Sequence, residues 1–190
     1  NAGLYGRLAR AHIALVNIER RKFEEAAEIL DEEPSLVEMV FAEADTESLE
    51  AFLSHRMEAA LAAKGESRIG LIEQVLWKEG FAPDTGRHKK RLAQLRFALA
   101  QEKEHIGAYA EAEVLYERVS LAVNVEPLLA MEAALKVGML QKRRGDLADA
   151  TKTLQLWFKQ FNPRAVNFLS VRQEGRRVIL GTPRVLPSYI

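Results

Sequence analysis

Three stretches of this chain carry one pattern in one register: ERRKFEEAAEILDEE at 19–33, HIGAYAEAEVLYERV at 105–119 and RRGDLADATKTLQLW at 143–157. Phe23, Tyr109 and Leu147 align as a large apolar residue, and Ala26, Ala112 and Ala150 follow three positions later. Leu30, Tyr116 and Leu154 come four after that. Upstream of each lies a large–small pair: Ile13-Ala14, Leu99-Ala100 and Val137-Gly138. Small residues on two antiparallel helices let their axes approach closely, while large neighbours fill the grooves beside them. Gly107 and Gly145 fall where the first helix of each pair has to stop, a place where glycine adopts left-handed backbone at little cost. In 19–33 Arg21-Lys22 occupies that place. A single hairpin of this kind cannot bury its apolar face, so neighbours must stack.

Apolar residues at three- and four-residue spacing predict helices over about 4–21, 23–33, 47–64, 68–79, 88–105, 109–122, 127–143 and 147–161. They pair as hairpins 4–33, 46–80, 88–122 and 127–161, with no sheet of three or more strands. Asp45-Thr46 reads as a helix start, and GFAPDTG at 80–86 as the clearest loop. No element is assigned between Pro34 and Asp45. These helices make one domain, residues 1–163. The remainder, 164–190, reads as a capping segment and tail. There NPRAVNFLSV can open a helix capped by Asn162, whereas VNFLSV and RRVIL around RQEG can pair as a hairpin. The closing helix, with an extended tail after Gly181, is slightly preferred.

The large–small, Gly-turn, aromatic-x-x-Ala pattern resembles the tetratricopeptide repeat (TPR). The best match is 127–161, through LKVGMLQKRRGDLADATKTL; the next is 93–122, through FALAQEKEHIGAYAEAEVLY. Residues 8–33 fit loosely, and 46–80 have the length of a hairpin but keep the pattern poorly. The resemblance covers about 160 residues by helix rhythm and about 65 by motif. Gly107 and Gly145 are 38 residues apart, against a family period of about 34, so the loop around NVEP is longer. The resemblance implies an all-α fold of stacked antiparallel helical hairpins, a TPR-like α-solenoid, with a short irregular C-terminal tail. It also implies a scaffold for protein–protein interaction, whose first helices line a concave groove that holds a peptide or helix of a partner. The implied groove residues are Gln94, Phe97, Gln101 and Glu104 on one first helix, and Glu132, Leu135, Met139 and Lys142 on the next. Family members that grip a C-terminal carboxylate use Lys, Asn and Arg at such places. Phe97, Gln101, Glu104 and Glu132 stand there here, which disfavours a carboxylate clamp. A mixed apolar and polar groove suits an amphipathic or extended segment.

Nothing in the chain points to chemistry of its own. Phosphate-loop, nucleophile-elbow and dinucleotide glycine motifs are all missing. Glu102-x-x-His105 has a di-iron-like spacing but lacks the second such pair that those sites need. With no cysteine, disulfides and thiolate chemistry are excluded, though cytoplasm and periplasm are not separated. A non-enzymatic protein without metal or cofactor is expected. Its zero net charge removes the usual argument for nucleic acid. Charge is unevenly spread: residues 23–66 hold 13 Asp/Glu against 2 Lys/Arg, while 164–190 hold 5 Arg against the single Glu174. Arg87, His88, Lys89, Lys90 and Arg91 open a helix, where cations oppose the macrodipole, so a phosphate or acidic partner is one reading of them. Trp77 and Trp157 read as core or inter-hairpin contacts. No apolar run is long enough to span a bilayer, and Arg7 and Arg10 break any signal-peptide core. A soluble protein, with the cytoplasm slightly favoured, is the expectation; its partner is another protein or peptide, and homo-oligomers stay open. The alternative is a regulatory or sensory helical domain of a larger signalling or transcription protein, acting by docking or dimerisation.

Overall fold

The computed structural model describes residues 2–63, 65, 67–82, 84–161, 173–174 and 177–178. Among them the chain is helical nearly throughout, as the periodicity requires. The helices are α1 (Ala2–Glu19), α2 (Phe23–Glu32), α3 (Val37–Glu43), α4 (Thr46–Ala62), α5 (Ser67–Glu79), α6 (Gly86–His105), α7 (Tyr109–Ser120), α8 (Pro127–Arg144) and α9 (Leu147–Phe161). Eight of them fall within two residues of the expected bounds. The ninth, α3, was not anticipated. It follows a 3-10 turn at Pro34–Leu36 and packs on α1. Its signal is in the sequence: Leu36, Val37, Val40 and Phe41 recur at helical spacing, and all four are buried. The expected closing helix near 163 lies outside the described residues. At 173–178, where that reading placed no strand, β1 (Gln173–Glu174) pairs antiparallel with β2 (Arg177–Val178). Gln173 stands opposite Val178.

The three hairpins of the repeat turn in the same way. Arg21, Gly107 and Gly145 all have left-handed backbone, with φ of 58°, 85° and 98°. Each donates its N–H to the carbonyl three residues back: Arg21 to Ile18, Gly107 to Glu104 and Gly145 to Lys142. The next N–H reaches five back, Lys22 to Asn17 at 2.8 Å, Ala108 to Lys103 at 2.8 Å and Asp146 to Gln141 at 2.9 Å. This pair of bonds is the Schellman cap, which satisfies carbonyls that the helix end would otherwise leave open. The arginine at the first turn therefore adopts the conformation that glycine supplies at the other two.

Small residues sit where helices meet. Ala26, Ala112 and Ala150 are buried, as are Ala14, Ala100 and Gly138 in the preceding helices. A Cβ on Gly138 would lie 3.0 Å from Leu154 Cγ, so the α8–α9 approach depends on that glycine. The large members of the pattern are less uniform: Leu99 and Val137 are buried, but Ile13 and Leu147 are exposed. Beyond the hairpin contacts, α1 touches α4, α4 touches α6, and α6 touches α8, so the first helices follow one another in a layer. Each later first helix also packs against the preceding second helix, α4 on α2, α6 on α5 and α8 on α7.

Among the described residues three apolar clusters form the interior. One joins α1 to α4, one lies between α4, α5 and α6, and one lies between α6, α7 and α8. Leu115 packs against the last two. A buried ionic network crosses the α4–α5–α6 junction. Arg91 bonds Glu50 of α4 and, at 2.5 Å, Glu79 of α5, and Glu79 also meets His88 Nδ1 at 2.8 Å. Burial pushes the Glu50 carboxyl up, but hydrogen bonds from Arg91 and Thr85 overcome this and hold its pKa below the usual value. Among the described residues no helix is long and apolar enough to cross a membrane.

Candidate protein-interaction face

The exposed surfaces of α6 and α8 differ because their neighbours differ. Helix α6 is packed by α4, α5, α7 and α8, so its buried arc is wide. Arg87, Lys90, Gln101 and His105 remain exposed on it, and Gln94 is half-buried. Helix α8 is packed by α6, α7 and α9, which bury Ala130, Ala133, Ala134, Val137, Gly138, Leu140 and Gln141. Its open face is apolar: Leu128 is 75% exposed, Met131 39%, Leu135 42% and Met139 64%. At 3.6 residues per turn these four fall within about 80° of arc. Glu132 and Lys142 are exposed on the same side.

Of the eight residues expected to line a groove, the structure leaves Gln101, Glu132, Leu135, Met139 and Lys142 exposed. Gln94 and Glu104 are half-buried. Phe97 requires a correction. It is only 6% exposed, its ring meets Tyr116 edge-on at 5.4 Å, and it belongs to the same cluster as Ala112 and Val137. The reason is the wide buried arc of α6: a position that would be open on a helix with fewer neighbours is sealed here. Glu104 is also committed internally. It accepts a hydrogen bond from the Tyr116 hydroxyl at 2.9 Å and pairs with Lys136 at 3.0 Å. Burial raises its pKa, yet these two donors more than offset that and hold the carboxyl below its ordinary value. Burial and the adjacent Glu104 push the Tyr116 hydroxyl well up. Leu128 and Met131 were missed, although their spacing to Leu135 and Met139 was readable.

The basic run at the start of α6 is mostly accounted for inside the molecule. His88 and Arg91 belong to the buried network, Lys89 pairs with Asp84 at 3.2 Å, and Lys90 pairs with Glu126 at 2.6 Å. Arg87 alone of the five makes no ion pair among the described residues. Much of the acidic excess of 23–66 is likewise matched. Arg7 and Arg10 face Glu33, Arg10 also meets Glu32, Arg56 pairs with Asp31 at 2.9 Å, and Lys78 pairs with Asp31 as well. Burial lowers the pKa of Lys78, an effect that Asp31 opposes. Glu102, of the Glu-x-x-His spacing, is bonded by Arg68 at 2.8 Å. Trp77 is not a core residue: it is 47% exposed and stacks edge-on against Phe81. It borders a cleft of about 510 Å³ between α2 and α5, with Lys78 also in its lining. Trp157 is half-buried.

The chain matches no family model, no curated protein and no solved structure.

Proposed function

We propose that this chain is a non-enzymatic, TPR-like interaction scaffold whose first helices present a face for a peptide or helix of another protein. The observation that carries the reading is the unpaired apolar stripe Leu128, Met131, Leu135 and Met139 along α8. Contiguous exposed apolar side chains mark interaction sites, whereas scattered ones carry no such meaning. The three left-handed turns in identical register support the repeat, and the sequential contacts of α1, α4, α6 and α8 support a layer of first helices. Relative to the groove implied by sequence, the apolar centre loses Phe97, which is sealed, and rests on Leu135 and Met139 together with Leu128 and Met131. Gln94 and Gln101 then form a polar border, as expected around an apolar interface core.

The test is capture of a partner by the immobilised protein and by its Leu135→Ala/Met139→Ala variant. Both side chains are exposed, so the melting temperature should stay within about 2 °C. Capture should fall at least tenfold in the variant. Undiminished capture by a variant of unchanged stability would remove the α8 face from consideration.

A further inference from the structure

On the side of the α6–α7 hairpin that faces α5, two cations stand together without a counter-charge. Lys103 of α6 bonds Glu111 of α7 at 3.0 Å, and it also bonds Glu73 of α5 at 3.2 Å. Seven residues, or about two turns, bring a helix back to nearly the same side. The helices are antiparallel, so seven residues back from Lys103 and seven on from Glu111 place Arg96 opposite Arg118. The two are near enough for the Arg118 charge to add to burial in pushing the Arg96 pKa down. Arg96 is half-buried and Arg118 exposed, and neither makes an ion pair or hydrogen bond among the described residues.

The acids that could neutralise them are engaged elsewhere. Of the seven on α5, α6 and α7, six are bonded: Glu73 and Glu111 to Lys103, Glu79 to Arg91, Glu102 to Arg68, Glu104 to Lys136 and Glu113 to Arg144. The seventh, Glu117, directly precedes Arg118 and so lies about 100° round the helix from it. In the flanking loops, Asp84 and Glu126 are bonded to Lys89 and Lys90. Arg118 suits the C-terminal turn of α7, where a cation complements the helix dipole. Arg96 is in mid-helix, where the dipole gives it nothing and its neighbour's charge opposes it.

We propose that Arg96 and Arg118 form a binding site for a phosphate monoester, held between the two guanidinium groups. The charge count selects the class. A phosphate monoester carries a charge of about −1.5 to −2 near pH 7 and three acceptor oxygens, which match two cations and their planar forks. A carboxylate carries a single charge and leaves one guanidinium unneutralised. The group can arrive on a phosphorylated side chain or on a small molecule, since the site reads the phosphate itself.

The test titrates inorganic phosphate into the full chain at about pH 7.5, with ionic strength held constant so that general screening does not change. The side-chain Nε–H signals of the arginines are followed by ¹H–¹⁵N NMR. Those of Arg96 and Arg118 should move together and saturate, with a Kd of about 1–10 mM, and acetate should bind at least tenfold more weakly. Arg96→Gln and Arg118→Gln should each weaken phosphate at least tenfold, whereas Arg20→Gln, at an exposed arginine of the first turn, should leave it unchanged. Because Arg118 is exposed, its variant carries the test even where Arg96→Gln unfolds. Glycerol 3-phosphate and an N-acetylated phosphoserine amide present the group from the two sources. Tighter binding of one than of inorganic phosphate assigns the source, and equal binding shows that the phosphate alone is read. Acetate binding as tightly as phosphate would overturn the doubly charged class. The absence of a saturable shift up to about 50 mM phosphate, or a shift unaltered in Arg118→Gln, would overturn the site.

Discussion

Substituting Ala112 with leucine tests the packing of the repeat most sharply. Ala112 is fully buried on α7, in one cluster with Ala100 of α6 and Ala133 of α8, both also fully buried. Three alanines on three helices therefore set the spacing there, with Phe97, Tyr116 and Val137 filling the rest. A leucine adds three carbons, which would be worth about 0.8 kcal/mol each if they could be buried without disturbance. The close approach leaves no space for them, so helices must separate or side chains leave their preferred rotamers, at a net cost of about 1–3 kcal/mol. For a chain of this length each kcal/mol moves the melting temperature by about 2–4 °C, so a fall of roughly 2–12 °C is expected. The control is Ala110→Leu, two residues away and exposed, which should stay within about 0.5 kcal/mol of the parent. The assay is thermal unfolding followed by circular dichroism at 222 nm. Equal melting temperatures for the two variants would refute the assigned register.

Other outcomes follow from the same structure. Gly145→Ala places a Cβ at φ 98° and should cost about 1–2 kcal/mol by denaturant titration, whereas Arg21→Gly should relieve comparable strain. The gain from Arg21→Gly is reduced by the lost, exposed Arg21–Glu47 pair, worth about 0–1 kcal/mol, and by glycine's greater freedom in the unfolded chain. Arg91→Met removes the cation shared by Glu50 and the fully buried Glu79 and should destabilise by about 3–5 kcal/mol; a melting temperature within 2 °C of the parent would contradict this. Glu50 and Glu104 have folded pKa values below their usual 4.5, so the stability they contribute is present above that pH and lost as pH falls through the lower folded values. Glu104→Gln should therefore flatten the decline of stability below pH 4.5, and an unchanged slope between pH 4.5 and 2.5 would contradict it.

Helix positions were legible because each rests on local rules: apolar spacing, Asp45 as a cap, and glycine at two of three turns; the Thr85 cap, inside the expected loop, emerged only in the structure. Asp45 accepts the Ser48 N–H at 2.9 Å and Thr85 accepts that of His88 at 3.1 Å, both within the first turn. Small residues at the seam were legible for the same reason. Which large residues are sealed was not. Ile13, a large member of the repeat pairs, is exposed, whereas Phe97, expected on the open groove, is buried. Burial depends on how many helices surround each one, a property of the whole stack. The fate of the basic run was hidden likewise, since its partners Glu50, Glu79 and Glu126 lie 9 to 41 residues away. On α8 the stripe was half legible, through Leu135 and Met139, because the repeat motif begins at Leu135 and leaves Leu128 and Met131 outside it.

The central claim, that the open face of α8 is where a partner sits, can be measured through methionine. The chain has four, Met39, Met57, Met131 and Met139, and Met139 is the most exposed of the three on open surface, with Met39 and Met131 nearly equal behind it. Peroxide oxidation followed by mass spectrometry, with and without saturating bound partner, compares them within one sample. Partner binding should slow oxidation of Met139 and Met131 at least fivefold and leave Met39, on α3, unchanged. Oxidation of Met139 at its free rate in the saturated complex would contradict the account.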